Sequence, residues 1–508
     1  MNFPEKHVGL TKDLLEKIDK HLIAEWLLNE GYYPEQYILP PTFKVTGFVL
    51  QNEPFINDLN DPPRKKLINI SYPKSMITSR VFGIQYPHHY HDIVYYLLND
   101  WENIIHHLFH PDIEIYSYSF PIPVNRRAIG ELSPLRSGRM IYEWIEMAEK
   151  DLVVESHKFK NIIRTDITNF YNSIYTHSIG WALHGREESF ADKQNILTGN
   201  KIDRLVQYAN DSRTNGIPVG SAVSDLIAEI ILAKIDRDVS IKLKTLRIEF
   251  IGTRFKDDYR ILSKSEDESK IILKCLAEEL CNFNLLINEH KTIILLLPEG
   301  LYRQHDREYF PFSMKKLHSI PYKRFEHTLL KVLDIHKCFP GTSLIEKFLC
   351  ELLDDNYNLK IKFSNNSSTC EKQIYKLFSL LLLLKRESEK ILCHVLAIIE
   401  CIYEKYTKRY HLKEYLKNLF IIEINNSIKK NSEFEIVWYV FFSRYLRLGI
   451  EFDKYIGNDR NYSLFLKSIL QSKQRIFSDS DVDLFIRPKD CKKVKLAKHV
   501  SVFDRSKD

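Results

Sequence analysis

The chain has 508 residues, 44% hydrophobic and 12% aromatic, which suits large packed cores and excludes a disordered or low-complexity protein. A formal net charge of +6 permits contact with nucleic acid without arguing for it. The eight cysteines form no CxxC pair, and the most leucine-rich run, 377–384, is too short for a bilayer; zinc-ribbon, disulfide-framework and membrane-spanning classes are thereby excluded.

Leu10, Leu14, Leu15, Ile18, Leu22, Ile23 and Trp26 recur at helical spacing and predict one amphipathic helix over residues 10–30, stopped at Gly31. A tyrosine-dense loop with Tyr32, Tyr33 and Tyr37 follows. It is either a packed aromatic loop or a place that presents a hydroxyl as a nucleophile. Residues 49–75, rich in Pro, Asn and Asp, read as irregular surface chain. His88, His89, His91, His106, His107 and His110 match no helical zinc spacing and read as surface and edge histidines. Alternation over 115–120 predicts a strand ending at Pro121. Arg126, Arg127, Arg136 and Arg139 then form either a solvated basic face or a hairpin gripping a triphosphate, because guanidinium forks match phosphate oxygens. A helix is predicted over 140–154.

Residues 161–167 read as a buried strand ending at Asp166, followed by a turn that carries Phe170 and Tyr171. Such a carboxylate suits metal and nucleotide binding, or it ends an ordinary strand. Residues 183–206 are polar and read as peripheral. The turn-rich stretch 215–221, with Gly216, Pro218 and Gly220, opens a helix in which Val223, Leu226, Ile227, Ile230, Ile231 and Ile235 keep helical spacing. Its glycines either let backbone N–H groups approach a polar ligand or simply cap a core helix. Asp257 and Asp258, flanked by apolar segments at 248–251 and 259–262, predict a hairpin with the acidic pair at its turn. Adjacent like charges are unfavourable unless a cation offsets them, and magnesium accepts one or two carboxylates together with phosphate oxygens. Taken alone, an Asp-Asp turn is as a rule only solvated. A helix over 269–283 and a strand over 293–297 complete this part.

From about residue 320 Leu, Ile, Lys and Tyr dominate, and helices are predicted over 325–336, 344–353, 372–385, 390–406, 412–428 and 433–448. They suit a HEAT-like solenoid or an irregular bundle. The basic stretch 487–498 is a solvated tail or touches phosphates.

Four blocks in this order resemble the palm of a reverse transcriptase over about residues 115–300. They are Asp166-Ile-Thr-Asn-Phe-Tyr171, Gly216-Ile-Pro-Val-Gly220-Ser, Phe255-Lys-Asp257-Asp258 and Asn288-x-x-Lys291-Thr292. The chain departs from the familiar pattern at charged Lys256, at Val219 where many members carry Gln, and in having no clear thumb. With its helical C-terminal region it is similar to the abortive-infection group of bacterial reverse transcriptases, the phage-defence type carried by a P-two-like prophage.

The resemblance implies an α+β fingers and palm over residues 1–315, followed by an all-α, HEAT-like domain over 316–508 with no ordinary thumb. It implies a cytoplasmic bacterial nucleotidyltransferase that polymerises dNTPs into DNA without a template, primed by a protein tyrosine. The single-stranded product stays attached to a homo-oligomer, a trimer or hexamer, away from any membrane. A conventional RNA-templated enzyme and a non-catalytic nucleic-acid-binding defence scaffold are the alternatives. Asp166, Asp257, Asp258 and Lys291 are the implied catalytic residues, and Asp166, Ile167, Asp257 and Asp258 the ligands of two Mg2+ ions. Ile167, Phe170, Tyr171, Gly216, Pro218, Gly220, Arg126, Arg127 and Arg139 would surround the nucleotide, with Tyr171 blocking a ribose 2′-OH. Tyr33 or Tyr37 is the candidate for priming, on the strength of the tyrosine-dense loop alone.

Overall fold

The computed structural model describes residues 1–74, 78–126, 128–132, 142–455, 462–471, 476–493 and 495–500. Strands β1 (Ile68–Pro73) and β2 (Ser79–Ile84) form a separate antiparallel hairpin. Strands β3 (Ile115–Ser117), β4 (Asn161–Asp166), β5 (Phe250–Phe255), β6 (Asp258–Ser263) and β7 (Ile293–Leu296) form one sheet in the order β3-β5-β6-β4-β7. Only β3 runs parallel to its neighbour, β5.

The β4–β6 register sets Asp166 opposite Asp258 and Arg164 opposite Arg260. Side chains alternate across a strand, so Ile162, Arg164 and Asp166 share a face with Asp258, Arg260 and Leu262. Ile163, Tyr259 and Ile261 take the other face and join the main core. That core includes the long helix Ala222–Thr245, capped by Ser221, whose hydroxyl accepts the Ser224 amide at 3.1 Å. Its predicted apolar stripe is fully buried. The first face carries a smaller cluster in which Met147, Ala148 and Leu152 pack with Ile162, Leu262 and Leu301. Residues 142–155 are helical there, with a π turn over Glu146–Asp151.

Several expectations are corrected. The N-terminal period is two helices, Phe3–Leu15 and Lys20–Leu28, because Asp19 accepts the His21 amide at 2.7 Å and starts a new helix. Residues 49–75 are not wholly irregular: Ile68 and Ile70 alternate inward on β1. His89 and His91 are buried rather than superficial. His91 Nδ1 meets Asp92 Oδ1 at 2.7 Å, its Nε2 accepts the Gln51 amide at 2.9 Å, and burial pushes His89 down to about 4. Residues 183–206 are not peripheral, since Ile202, Leu205 and Val206 on the helix Thr198–Ala209 enter the core.

The C-terminal helices Tyr322–Cys338, Leu344–Glu351, Ser367–Glu387, Leu392–Tyr406, Leu412–Lys429 and Glu433–Tyr445 follow the predicted pattern closely. They fold back onto the N-terminal segment. Trp438 Nε1 donates to the Ile38 carbonyl at 3.1 Å, Phe434 packs on Tyr72 at 5.1 Å, and Phe43 lies between Phe465 and Phe485 at 5.1 and 5.5 Å. The result is one hydrophobic core continuous from Leu14 to Val500.

Candidate active site

Three segments are stitched together at the end of β4. The Ile167 amide donates to the Asp257 carbonyl at 3.2 Å, the Thr168 amide to Leu286 at 2.8 Å, and the Asn288 amide to the Asp166 carbonyl at 2.8 Å. This brings Asp166, the Asp257-Asp258 turn and the Asn288–Lys291 turn to one place. Lys291 Nζ pairs with Asp166 Oδ2.

The carboxylates crowd one another. Partial burial, then Asp257 and Asp166, push Asp258 up to about 6, against the pull of Arg260 and Lys291. Burial raises Asp257 as well, with Asp166 adding to it and Lys256 and Arg80 opposing. The hydrogen bond to Asp166 raises Lys291 above the usual lysine range. Such mutual elevation means that the group gains when a cation joins it. Asp166 Oδ1 is buried and has no hydrogen-bond partner, which suits a ligand oxygen awaiting a metal. Among the described residues no three His, Cys, Asp or Glu side chains form a ready-made metal cage. The oxygen donors fit a hard divalent cation held by one or two carboxylates and completed by substrate oxygens.

Tyr171 is half-buried, and its hydroxyl donates to Asp225 on the long helix. Lys256 Nζ reaches the same carboxylate at 3.2 Å. The departure at Lys256 thus has a local reason: with φ of +55° it makes the hairpin turn, and its amine ties that turn to the helix. Phe170 is buried against Tyr171 at 5.1 Å.

The loop of Gly216, Pro218 and Gly220 lies beside this turn. The Gly216 amide donates to Ile174 at 2.8 Å and the Ile217 amide to Tyr171 at 2.9 Å. Gly220, at φ of +125°, approaches Phe82 so closely that a Cβ would come within 2.8 Å of its ring. The glycines therefore serve close approach of the loop to the motif turn and to β2.

Beneath the turn lies a charged network that sequence reading did not single out. Arg254, 1% exposed, binds Glu229 through two nitrogens at 2.9 and 3.0 Å, Asp236 at 2.7 Å and the Lys256 carbonyl at 3.1 Å. Ser117 and Ser119 donate to Glu229 at 2.7 and 2.6 Å, and Tyr259 donates to Asp236 at 3.0 Å. Burial works to raise Glu229, but Arg254 overrides it and the carboxyl stays low; burial wins at Asp236, which is pushed up to about 6. The available signal was three carboxylates, Asp225, Glu229 and Asp236, spaced by four and seven within an apolar helix.

The predicted basic grip is only partly described. Arg126 is committed to His7, with Nη2 2.8 Å from Nδ1, and lies 3.9 Å from Glu143. Arg127, Arg136 and Arg139 lie outside the described residues. Arg80, exposed on β2, is the cation that the fold instead brings near Asp257. Arg260 is buried, and burial followed by neighbouring Arg164 lowers it to about 10. Tyr33 is corrected as an accessible nucleophile: it is buried, its hydroxyl donates to the Leu484 carbonyl at 2.7 Å, and burial raises it well above the usual tyrosine range. Tyr37 is half-buried with its ring 6.0 Å from Tyr72.

Residues 130–322 match the family described as reverse transcriptase (RNA-dependent DNA polymerase). The chain therefore carries a reverse transcriptase domain and is an enzyme of the nucleotidyltransferase, reverse-transcriptase-like class. No curated protein matches it in sequence. Solved structures similar to it include apo telomerase from Candida tropicalis truncated from its C-terminal domain, at 13% identity and a TM-score of 0.30 over 50% of this chain and 52% of that one. The apo telomerase from Candida tropicalis gives 11% and 0.32 over 74% and 69%. Telomerase from Candida albicans, in complex with a TWJ fragment of telomeric RNA, gives 11% and 0.28 over 71% and 64%. The chain thus spans about half of the first of these proteins and about two thirds of the others.

Proposed function

We propose that this chain polymerises dNTPs into DNA without a template, priming on a protein tyrosine, as an abortive-infection type of reverse transcriptase. The observation that carries the polymerase reading is the convergence of Asp166, Asp257, Asp258 and Lys291 at the junction of β4, the β5–β6 turn and the Asn288–Lys291 turn. The order of the four sequence blocks supports the finer assignment, together with a helical region that packs on the N-terminal segment.

Residues 1–315 are the catalytic fingers and palm in this reading, and 316–508 a HEAT-like helical domain in place of a thumb. Asp166, Asp257 and Asp258, with the Ile167 backbone, would hold Mg2+, which when bound polarises phosphate oxygens and activates a hydroxyl. Tyr171, fixed by Asp225, presents its ring to the sugar and disfavours a 2′-OH. Lys291, paired with Asp166, would give a proton to departing pyrophosphate. Tyr37 remains the candidate for priming. The enzyme works in the bacterial cytoplasm as a homo-oligomer; no helix among the described residues is long and apolar enough to cross a membrane.

The test is incubation with magnesium and each labelled dNTP, without primer or template, followed by denaturing gels before and after protease. Label retained by the protein until proteolysis is the expected result, and Asp257→Ala with Asp258→Ala should abolish it. Activity only with added RNA and primer would replace this reading by the templated enzyme.

A further inference from the structure

The chemistry above leaves one buried cation unused. Arg260 is 6% exposed, and among the described residues no carboxylate lies within 4 Å of its guanidinium. Asp258 and Glu149 favour its charge from farther off, but burial, Arg164 and Arg303 together outweigh them; a buried cation so placed is costly and is retained where something else supplies a close anion.

Its close partner is an aromatic ring. The Arg260 guanidinium lies 4.9 Å from the centre of Trp144, and Arg303 lies 4.4 Å from the same ring. Arg164 sits directly opposite Arg260 on β4, on the same face. Two arginines therefore face one tryptophan, and a third lies across the strand pair from Arg260. Arg303 is joined to Glu149 at 2.9 Å and Asp306 at 2.5 Å, yet its Nε is buried with no partner. Arg164 and Trp144 are half-buried and keep some access to solvent beside the buried Arg260. Cross-strand register places it on the Asp166–Asp258 face, one pair of residues along β4 and β6.

Glu149 and Asp306 answer Arg303 at close range, but among the described residues no carboxylate does so for Arg164 or Arg260, and planar guanidinium forks match phosphate oxygens. We infer that Arg260 and Arg303 on Trp144, with Arg164 opposite Arg260, bind a phosphate group: a backbone phosphodiester of the strand whose 3′ end is extended at Asp166 and Asp258. The inference rests on the polymerase reading for the identity of the strand, and on the cluster itself for the phosphate.

The test uses the full chain with neither metal ion nor dNTP. Binding of a fluorescein-labelled oligothymidylate is followed by anisotropy across a salt series. Melting temperatures are measured with and without inorganic phosphate. Arg260→Met should raise the melting temperature, because a buried charge with no close counter-ion is removed, whereas loss of a merely structural contact would lower it. The same variant should weaken oligonucleotide binding roughly 10- to 100-fold. It should also flatten the salt slope by about 0.7. Arg164→Gln, at a half-buried position, should weaken binding in the same sense with the fold intact. Phosphate should raise the melting temperature of the wild type and not that of Arg260→Met.

Unchanged binding and salt slope in both variants, with no phosphate effect on the wild type, would overturn the proposal. A phosphate effect lost in Arg260→Met while oligonucleotide binding stays unmoved would assign the site to the free anion and overturn the strand assignment. Binding effects as expected in a chain that incorporates no dNTP under any condition would overturn the polymerase reading alone.

Discussion

Arg254 should be the residue on which the Asp257-Asp258 hairpin most depends. Replacing it by Met removes four hydrogen bonds, three of them to the carboxylates of Glu229 and Asp236, whose side chains are 5% and 1% exposed. Glu229 keeps two serine donors and Asp236 keeps Tyr259, so neither is stripped bare. Removing one partner of a buried ion pair costs about 3–5 kcal/mol. Asp236 already sits near 6 and takes up a proton readily once the guanidinium is gone, which relieves one of the two charges. The expected loss is therefore about 3 kcal/mol near neutral pH, toward the lower end of that range. Urea unfolding of the wild type and of Arg254→Met measures it. The loss should shrink as the pH falls from neutral through about 6, because protonation replaces the missing cation. Arg254→Lys, which lacks the fork, should fall between the two. A loss below about 1 kcal/mol, or one that does not change with pH, would refute the claim that a buried charge balance holds the hairpin.

If Tyr171 lies beside the sugar as proposed, Tyr171→Ala should lower the preference for dNTP over NTP on the order of 100-fold, read from incorporation of paired nucleotides. The hydrogen bond that His177 donates to Asp203, with the charge of that carboxylate, raises His177 above its ordinary value despite burial. The stability this pair contributes is therefore fully present below about pH 6.5 and is lost as pH rises through the folded value. The difference in unfolding free energy between the wild type and Asp203→Asn should decline across that interval; a flat difference would count against the pair. Trp438→Phe leaves the Ile38 carbonyl without its donor and should cost about 1–3 kcal/mol in thermal unfolding. No change there would mean that the C-terminal helices do not depend on this contact with the N-terminal segment.

Local pattern in the sequence carried much of this protein. The alternation and apolar runs around Asp166 and Asp257-Asp258 announced β4, β5 and β6, because a strand buried on both faces leaves little choice of residue. The helical period of Val223 to Ile235 and of the C-terminal segments did the same, since one apolar stripe must find a core. The block containing Lys291 was legible because Asn288, Lys291 and Thr292 stand in a short turn whose spacing is local.

What depends on contacts between distant residues was settled by folding alone. Asp19 breaks the N-terminal helix through a single side-chain cap, a signal weaker than the apolar period that runs across it. Tyr33 looks as available as Tyr37 in a line of letters, and only the return of the chain at Leu484 buries its hydroxyl. Arg254 with Glu229 and Asp236, and Trp144 with Arg260 and Arg303, join residues from 18 to 159 positions apart, as the difference of their numbers shows. A charge in a sequence has no counter-ion until tertiary packing assigns it one, because desolvation and Coulomb attraction depend on distance in space. The acidic residues therefore declared themselves through local spacing, while the cations that govern them were chosen by the register of β4 against β6 and by the layers packed on either face of the sheet.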